Sequence, residues 1–399
     1  MGTSALSANT TASNNTAVGY QAAYSTTTGA YNTAFGYQTL LDNTTGYANA
    51  AFAADAMGNN TTGFDNTALG NAAMFQNTTG SYNVALGRAA MQNNTTSSNN
   101  TAVGYQSLYS MSTTGDANKS TAVGYQAGYT STHNVDAFGS QALYSNTTGV
   151  LSVAIGREAL YSNTGASYNT AVGYQAGYSN TTGGENSYFG RFSGKGVTTG
   201  TGNVFLGARA GNYQIPTTTG SYNTVIGSYS KVGNAGDSNA VAIGHNIVGT
   251  SGFTTLGDAA NDIRAAHGNV TWNTVSDQRY KKDIVDSTAG LSFVNALQPR
   301  TFKYKTLGEL PETFNAYEAD STEVFKNSVT NHGFIAQEVK AAIDAHPELK
   351  DGFAMWGERP DGGQEIGEAA LIPMLVKAVQ ELSATNDALV ARITALEGA

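Results

Sequence analysis

The chain has 399 residues, no Cys and a formal net charge of −9, which excludes a disulfide framework and thiol chemistry. Residues 1–257 carry 7 Lys+Arg and 8 Asp+Glu, whereas residues 258–399 carry 13 and 21. The mild acidity and the lack of a basic patch interleaved with aromatics argue against a nucleic-acid partner. No basic segment followed by an apolar run marks a signal peptide, and no stretch nears the roughly eighteen apolar residues that insert into a membrane.

Residues 1–257 are an internal repeat. A small–apolar–Gly core recurs at Gly19, Gly36, Ala53 (in the Gly slot), Gly70, Gly87 and Gly104 and continues to Gly257. Most steps are 17 residues, lengthened to 20 or shortened to 15 and 13 at a few coils. A fixed step with occasional changes is the mark of stacked coils whose loops vary. Within a unit, Asn169-Thr-Ala-Val-Gly-Tyr-Gln-Ala176 alternates large and small residues, the period of a strand. One face carries Thr or Val, then Val18, Phe35, Leu69 or Ile155, then Tyr; the other carries Ala and Gly. The large face is expected to fill a core, and the small face to admit another backbone. Asn-Thr-Thr-Gly stretches such as Asn43–Gly46 read as turns whose Asn and Gly supply positive φ. A second extended piece such as Ser81-Tyr82-Asn83 follows, so each coil is expected to hold two strands and two turns. At ~4.8 Å per coil, the repeats build a rod of roughly 70 Å.

A coil this thin has little interior, which favours several chains packed together. Val153-Ala-Ile-Gly156 and Val241-Ala-Ile-Gly244 resemble the head repeats of trimeric autotransporter adhesins. That resemblance implies a parallel β-roll assembled as a trimer and says little of a ligand. The Asn-Thr-Thr triplets match glycosylation acceptors, but a repeated turn explains them better. Tyr20, Tyr37, Tyr105, Tyr125 and Tyr174 could form a sugar-stacking ladder, although half-buried strand positions are the simpler reading. His133 and His245 are far apart and are read as lacking nearby acidic or Cys partners, so no metal site is expected, and no cofactor.

Residues 258–275 lose the repeat, and Asn269–Val275 alternates as a linker strand. Charge density then jumps at Ser276-Asp277-Gln278-Arg279-Tyr280-Lys281-Lys282. Three blocks follow: Leu297-Gln-Pro-Arg-Thr-Phe-Lys-Tyr304, His332-Gly-Phe-Ile-Ala-Gln-Glu-Val339 and Ile372-Pro-Met-Leu-Val-Lys-Ala-Val-Gln-Glu-Leu382. Together these resemble the endosialidase-type self-cleaving intramolecular chaperone at the end of phage tail fibres and tailspikes. The resemblance implies a small α+β chaperone domain over 276–370 that assembles the trimer and is then released. It places the cut between Val275 and Ser276, with Ser276 as nucleophile and Lys281 as general base. Asp277 and Arg279 would orient the site, and His332 could assist proton transfer, although a structural His is the simpler reading. The chemistry is sound, since a Ser hydroxyl needs a neighbour to take its proton and burial or nearby cations suit Lys to the task.

Residues 371–399 read as a coiled-coil helix. Ile372, Val379, Asn386 and Ile393 share one heptad position; Leu375, Leu382, Leu389 and Leu396 share the other. Ile or Val at a with Leu at d leans toward dimers, whereas both resemblances imply a homotrimer, the state expected here. An amphipathic helix folded onto its own domain is the competing reading.

The class expected is therefore mainly β, a repetitive parallel β-roll or β-solenoid rod followed by an α+β domain and a helix. The function expected is that of a phage tail fibre or tailspike in the virion, assembled in the host cytoplasm and attaching to a host surface receptor such as a glycan. The N-terminus is expected to dock on another fibre protein unless a preceding segment exists. A bacterial trimeric surface adhesin is the alternative. Glycan hydrolysis needs two carboxylates about 5–9 Å apart, and the acids of the repeat region stand singly.

Overall fold

The computed structural model describes residues 2–111, 119–212, 216–259, 261–268, 273–274, 276–350 and 353–398. Two compact units emerge, Met1–Ser276 and Asp277–Ala399.

The first unit is a parallel β-solenoid. Strands Thr16–Val18, Thr33–Phe35, Ala50–Phe52 and their successors stack in parallel through to Phe253–Asp258. They pair without a register shift, Thr16 on Thr33, Ala17 on Ala34 and Val18 on Phe35. The alternation sets the inside and outside opposite to expectation. The Ala column (Ala34, Ala51, Ala68, Ala85) is fully buried, while Phe35 is 55% exposed and Leu69 52%. The cause is the width of the lumen. A 17-residue coil leaves room on the strand side only for a methyl group, because Leu40, Met57, Met74 and Met91 fill the core from the following turn. At two coils where that turn position is Gly, the strand position is a large aromatic instead. A Cβ on Gly194 would lie 2.3 Å from the Tyr188 ring, and one on Gly211 would lie 2.3 Å from that of Phe205. Tyr188 and Phe205 are fully buried.

The second strand per coil is mostly absent. Tyr82 and Tyr168, expected to be extended, have φ of 59° and 62°, a left-handed conformation that ends a strand. Among the described residues of the solenoid, only Lys231–Val232 and Val248–Gly249 pair as a second short sheet. The turns are nonetheless laddered, as Thr27 N–H donates to Thr44 C=O at 3.0 Å and Thr44 N–H to Thr61 C=O at 2.9 Å. Positive φ does not fall on Asn43 or Gly46. It falls on Gly36, Gln38, Leu40 and Ala48. Asn43 serves another purpose. Asn60 Nδ2 donates to Asn43 Oδ1 at 2.8 Å, and Asn77 Nδ2 to Asn60 Oδ1 at 2.7 Å. A second ladder links Asn32, Asn49, Asn66 and Asn83 at 3.1–3.2 Å. All these amides are buried, so each must find a partner in the protein, and none is accessible as a glycosylation acceptor.

At the far end of the solenoid the chain reverses. Asn261–Ala266 pairs antiparallel with Phe253–Asp258, and Asn273–Thr274 pairs antiparallel with Asn261–Ala266. Residues 258–275 are thus not one linker strand, since a hairpin strand joins the sheet first. Asn269–Trp272 and Val275 lie outside the described residues.

The second unit holds helices α1 (Leu291–Ala296), α2 (Ala336–Asp344) and α3 (Ile372–Glu397). Two antiparallel hairpins accompany them, Arg300–Phe302 with Asn331–Gly333 and Trp356–Glu358 with Gln364–Ile366. Phe293, Leu297, Val339, Ile343, Met355 and Met374 form the small core. Pro373, in the first turn of α3, lacks only an N–H that has no helical partner there. Glu381 of α3 accepts from the Leu291 N–H at 2.8 Å, which satisfies an otherwise open donor at the start of α1.

Candidate processing site and interaction surfaces

The stretch after the solenoid is built around one carboxylate. Asp277 caps a short 3-10 helix, Gln278–Tyr280, by accepting from the Arg279 N–H at 2.8 Å. Arg279 Nε reaches the same carboxylate at 3.0 and 3.1 Å. This fork holds the Asp277 carboxyl below its usual range, chiefly through the Arg279 side chain and then its backbone N–H. Lys281 closes the turn, its N–H donating to Gln278 C=O at 3.0 Å. Ser276, the last residue of the first unit, and Lys281 are both exposed on the single chain. Val275 lies outside the described residues.

His332 is placed elsewhere in the second unit. It sits in the Asn331–Gly333 strand opposite Thr301 and lines a cleft of about 710 Å³. Phe302, Tyr304, Phe314, Phe334 and Arg359 share that lining, and none of the described side chains of 276–282 is part of it. The cleft escaped sequence reasoning. Its only sign is the alternating Phe302-x-Tyr304, which any half-buried strand would show. Beside it, Arg300 binds Glu338 twice, Nε to Oε2 at 3.0 Å and Nη2 to Oε1 at 2.8 Å. This pair locks the strand of one sequence block to the helix start of the next, and it holds Glu338 below the usual carboxylate range.

Helix α3 has two faces. Met374 and Ala378 are buried in the second unit. Ile372, Leu375, Val379, Leu382, Asn386, Leu389, Ile393 and Leu396 are exposed. The helix thus docks on its own unit through one stripe near its start and leaves the heptad positions exposed. The solenoid also leaves an apolar row open. Phe35, Phe52, Leu69, Val123, Phe138, Ile155, Phe189, Leu206 and Ile243 are all more than a third exposed, one per coil on the outer face of the sheet. Soluble monomers seldom expose contiguous apolar surface beyond a few hundred Å².

The Tyr positions are about half-buried, as expected, but lie in the turn after each strand: Tyr20 and Tyr37 stack face to face at 5.3 Å, and Tyr105 and Tyr125 at 5.5 Å. Faces engaged in this way are closed to a sugar ring. His245 does have an acidic neighbour, Asp258 Oδ1 at 2.9 Å, because the last coil is only 13 residues long. Among the described residues no group of three His, Cys, Asp or Glu is arranged to hold a metal ion. No helix is long and apolar enough to cross a membrane.

Residues 276–347 match the Peptidase_S74 family, described as the chaperone of endosialidase. The match begins at Ser276 and takes in the first two downstream blocks, and α3 lies beyond it. No curated protein matches the chain, and no solved structure matches it. The chain therefore joins a mainly β solenoid to a C-terminal segment of the endosialidase-chaperone type, a family whose designation implies self-cleaving peptidase activity.

Proposed function

We propose that this chain is the structural subunit of a phage tail fibre or tailspike that attaches to a host surface. Its C-terminal unit drives homotrimerisation and is released by autoproteolysis between Val275 and Ser276. The observation that carries this reading is the pair of uncovered apolar surfaces, the row along the solenoid and the seam of α3. Three parallel copies would bury both at once, and burial is worth roughly 25 cal/mol per Å² of apolar surface.

The cleavage step needs three movements. Ser276 Oγ gives its proton to the neutral Lys281 amine and attacks the Val275 carbonyl carbon. The C–N bond breaks, and the departing Ser276 nitrogen takes the proton back, leaving an ester. Water then hydrolyses the ester and frees a segment that begins with Ser276. Lys281 is exposed in the single chain, and a base of this kind works when desolvated. Assembly of three chains supplies that desolvation, so cleavage follows trimerisation. Asp277 and Arg279 hold the turn in shape, and the place of His332 on the cleft supports a structural part for it.

The test is expression of the wild type beside Ser276→Ala and Lys281→Met. The expected result is a wild-type product of about 275 residues in a denaturing gel, and full-length chains for both variants. A wild type that stays intact while trimeric in solution overturns the cleavage and leaves the assembly role standing.

A further inference from the structure

Residues 1–257 contain seven Lys and Arg, and four of them meet on one side of neighbouring coils. Arg191, Lys195 and Arg209 approach the Phe192 ring centroid at 5.0, 4.9 and 5.5 Å. Phe192 packs edge-on against Tyr174 at 5.2 Å, and Arg157 lies over Tyr174 at 5.8 Å. One carboxylate is present, Glu158, and it is committed to Gln175 and Arg157. Among the described residues Arg191, Lys195 and Arg209 have no ion-pair partner, and the Nε of Arg209 is buried without a hydrogen-bond acceptor. The ring quadrupole attracts each cation, yet three positive charges around one ring repel each other. An anion seated there relieves that repulsion and gives the open Arg donors a planar acceptor.

We propose that this Arg191–Lys195–Arg209 cluster is a binding site for an acidic glycan, its carboxylate or phosphate held by the guanidinium groups. The site rests on the attachment role proposed above and gives it a ligand class. The surface beside the cluster fits a sugar: Tyr174 is more than a third exposed and offers a ring edge and a hydroxyl. Four cations on neighbouring coils make a short patch, too small to track the backbone of a long nucleic acid. Burying four cations in an assembly is costly, so this side of the coils stays in solvent when the apolar row is covered.

The experiment measures binding of the purified expression product to immobilised alginate, a polyuronate, and to phosphomannan. Dextran and single-stranded DNA are the comparisons. Trimer mass and cleavage state are read on the same sample, so a well-assembled trimer that fails to bind overturns the glycan site and not the assembly. At least one acidic glycan is expected to bind, with dextran silent. Preference for alginate identifies a carboxylate ligand, and preference for phosphomannan a phosphate. Arg191→Gln combined with Lys195→Gln, both outside the lumen, is expected to weaken binding about tenfold or more. Arg88→Ala, an isolated cation over Tyr105 at 5.8 Å, is expected to change nothing. Equal binding by the double variant, dextran binding as strongly, or DNA binding tighter than both glycans overturns the proposal.

Discussion

The two units are held together in different ways. In the solenoid the same contacts recur from coil to coil, strand to strand, carbonyl to N–H and, through most coils, Asn to Asn, almost without charge. In the second unit each contact occurs once. Its core is a small cluster, and its exposed ion pairs include Arg300–Glu338 and Arg359–Glu365. A repetitive body gains stability by addition of neighbours but has little to distinguish one alignment of chains from another. A body of unique contacts specifies one arrangement. That difference is what the proposed role asks of a rod and of the unit that aligns it.

The largest way to break the solenoid is through its Gly column. Gly70 has φ of 141°, and a Cβ there would lie 2.6 Å from the Gly87 carbonyl carbon. Gly70→Ala therefore combines a Gly-only backbone conformation with a backbone clash, and a loss of at least about 3 kcal/mol is expected. Gly362→Ala in the second unit meets nothing within 4 Å at φ of 81°, so about 1 kcal/mol is expected from strain alone. Thermal melts of the two variants check the contrast.

Next comes the ladder. Asn66→Ala removes both the donor to Gly80 C=O at 2.9 Å and the acceptor of Asn83 Nδ2 at 3.2 Å. At about 1–3 kcal/mol per orphaned buried group, a loss of about 3 kcal/mol is expected. Hydrogen exchange should show protection falling in the coils on either side and unchanged in the second unit.

One substitution sharpens the comparison in the other direction. Ala53 occupies the Gly slot at φ of 97°, a conformation that L side chains resist. Ala53→Gly is expected to stabilise the solenoid by about 1 kcal/mol, read as a raised unfolding midpoint.

The smallest effect is that of pH. Asp277, Glu309, Glu338 and Asp361 in the second unit are all held below their usual range, by Arg279, the Thr306 N–H, Arg300 and the Gly363 N–H respectively. Depressed carboxylates add stability above their unfolded values, near pH 4, and lose it as pH falls through their lower folded values. Acidification below about pH 4.5 should lower the melting point of the second unit by a few degrees and leave the solenoid, where Glu158 alone among the described carboxylates is so shifted, nearly unmoved. Glu338→Gln should remove part of that dependence.

The sequence by itself determined the coil length, the parallel stacking and the place where the repeat ends, because strand period and Gly spacing are local properties of the chain. The Ser276–Lys281 stretch and the downstream blocks were legible for the same reason: each is a contiguous motif. Which face of the strand points inward was not legible. Alternation fixes two faces, and hydrophobicity assigned Phe35 and Leu69 to the core. The tertiary structure assigned them to the surface, since a lumen already filled by Leu40, Met57 and Met74 admits only Ala from the strand. The exchange of Gly194 for a Leu or Met opposite Tyr188, and of Gly211 opposite Phe205, was written in the sequence, but it pairs positions that only the closed coil brings together. The cation cluster is the same kind of fact. Arg191 and Lys195 are near in sequence, whereas Arg157 and Arg209 join them because a 17-residue step returns the chain to the same side of the rod.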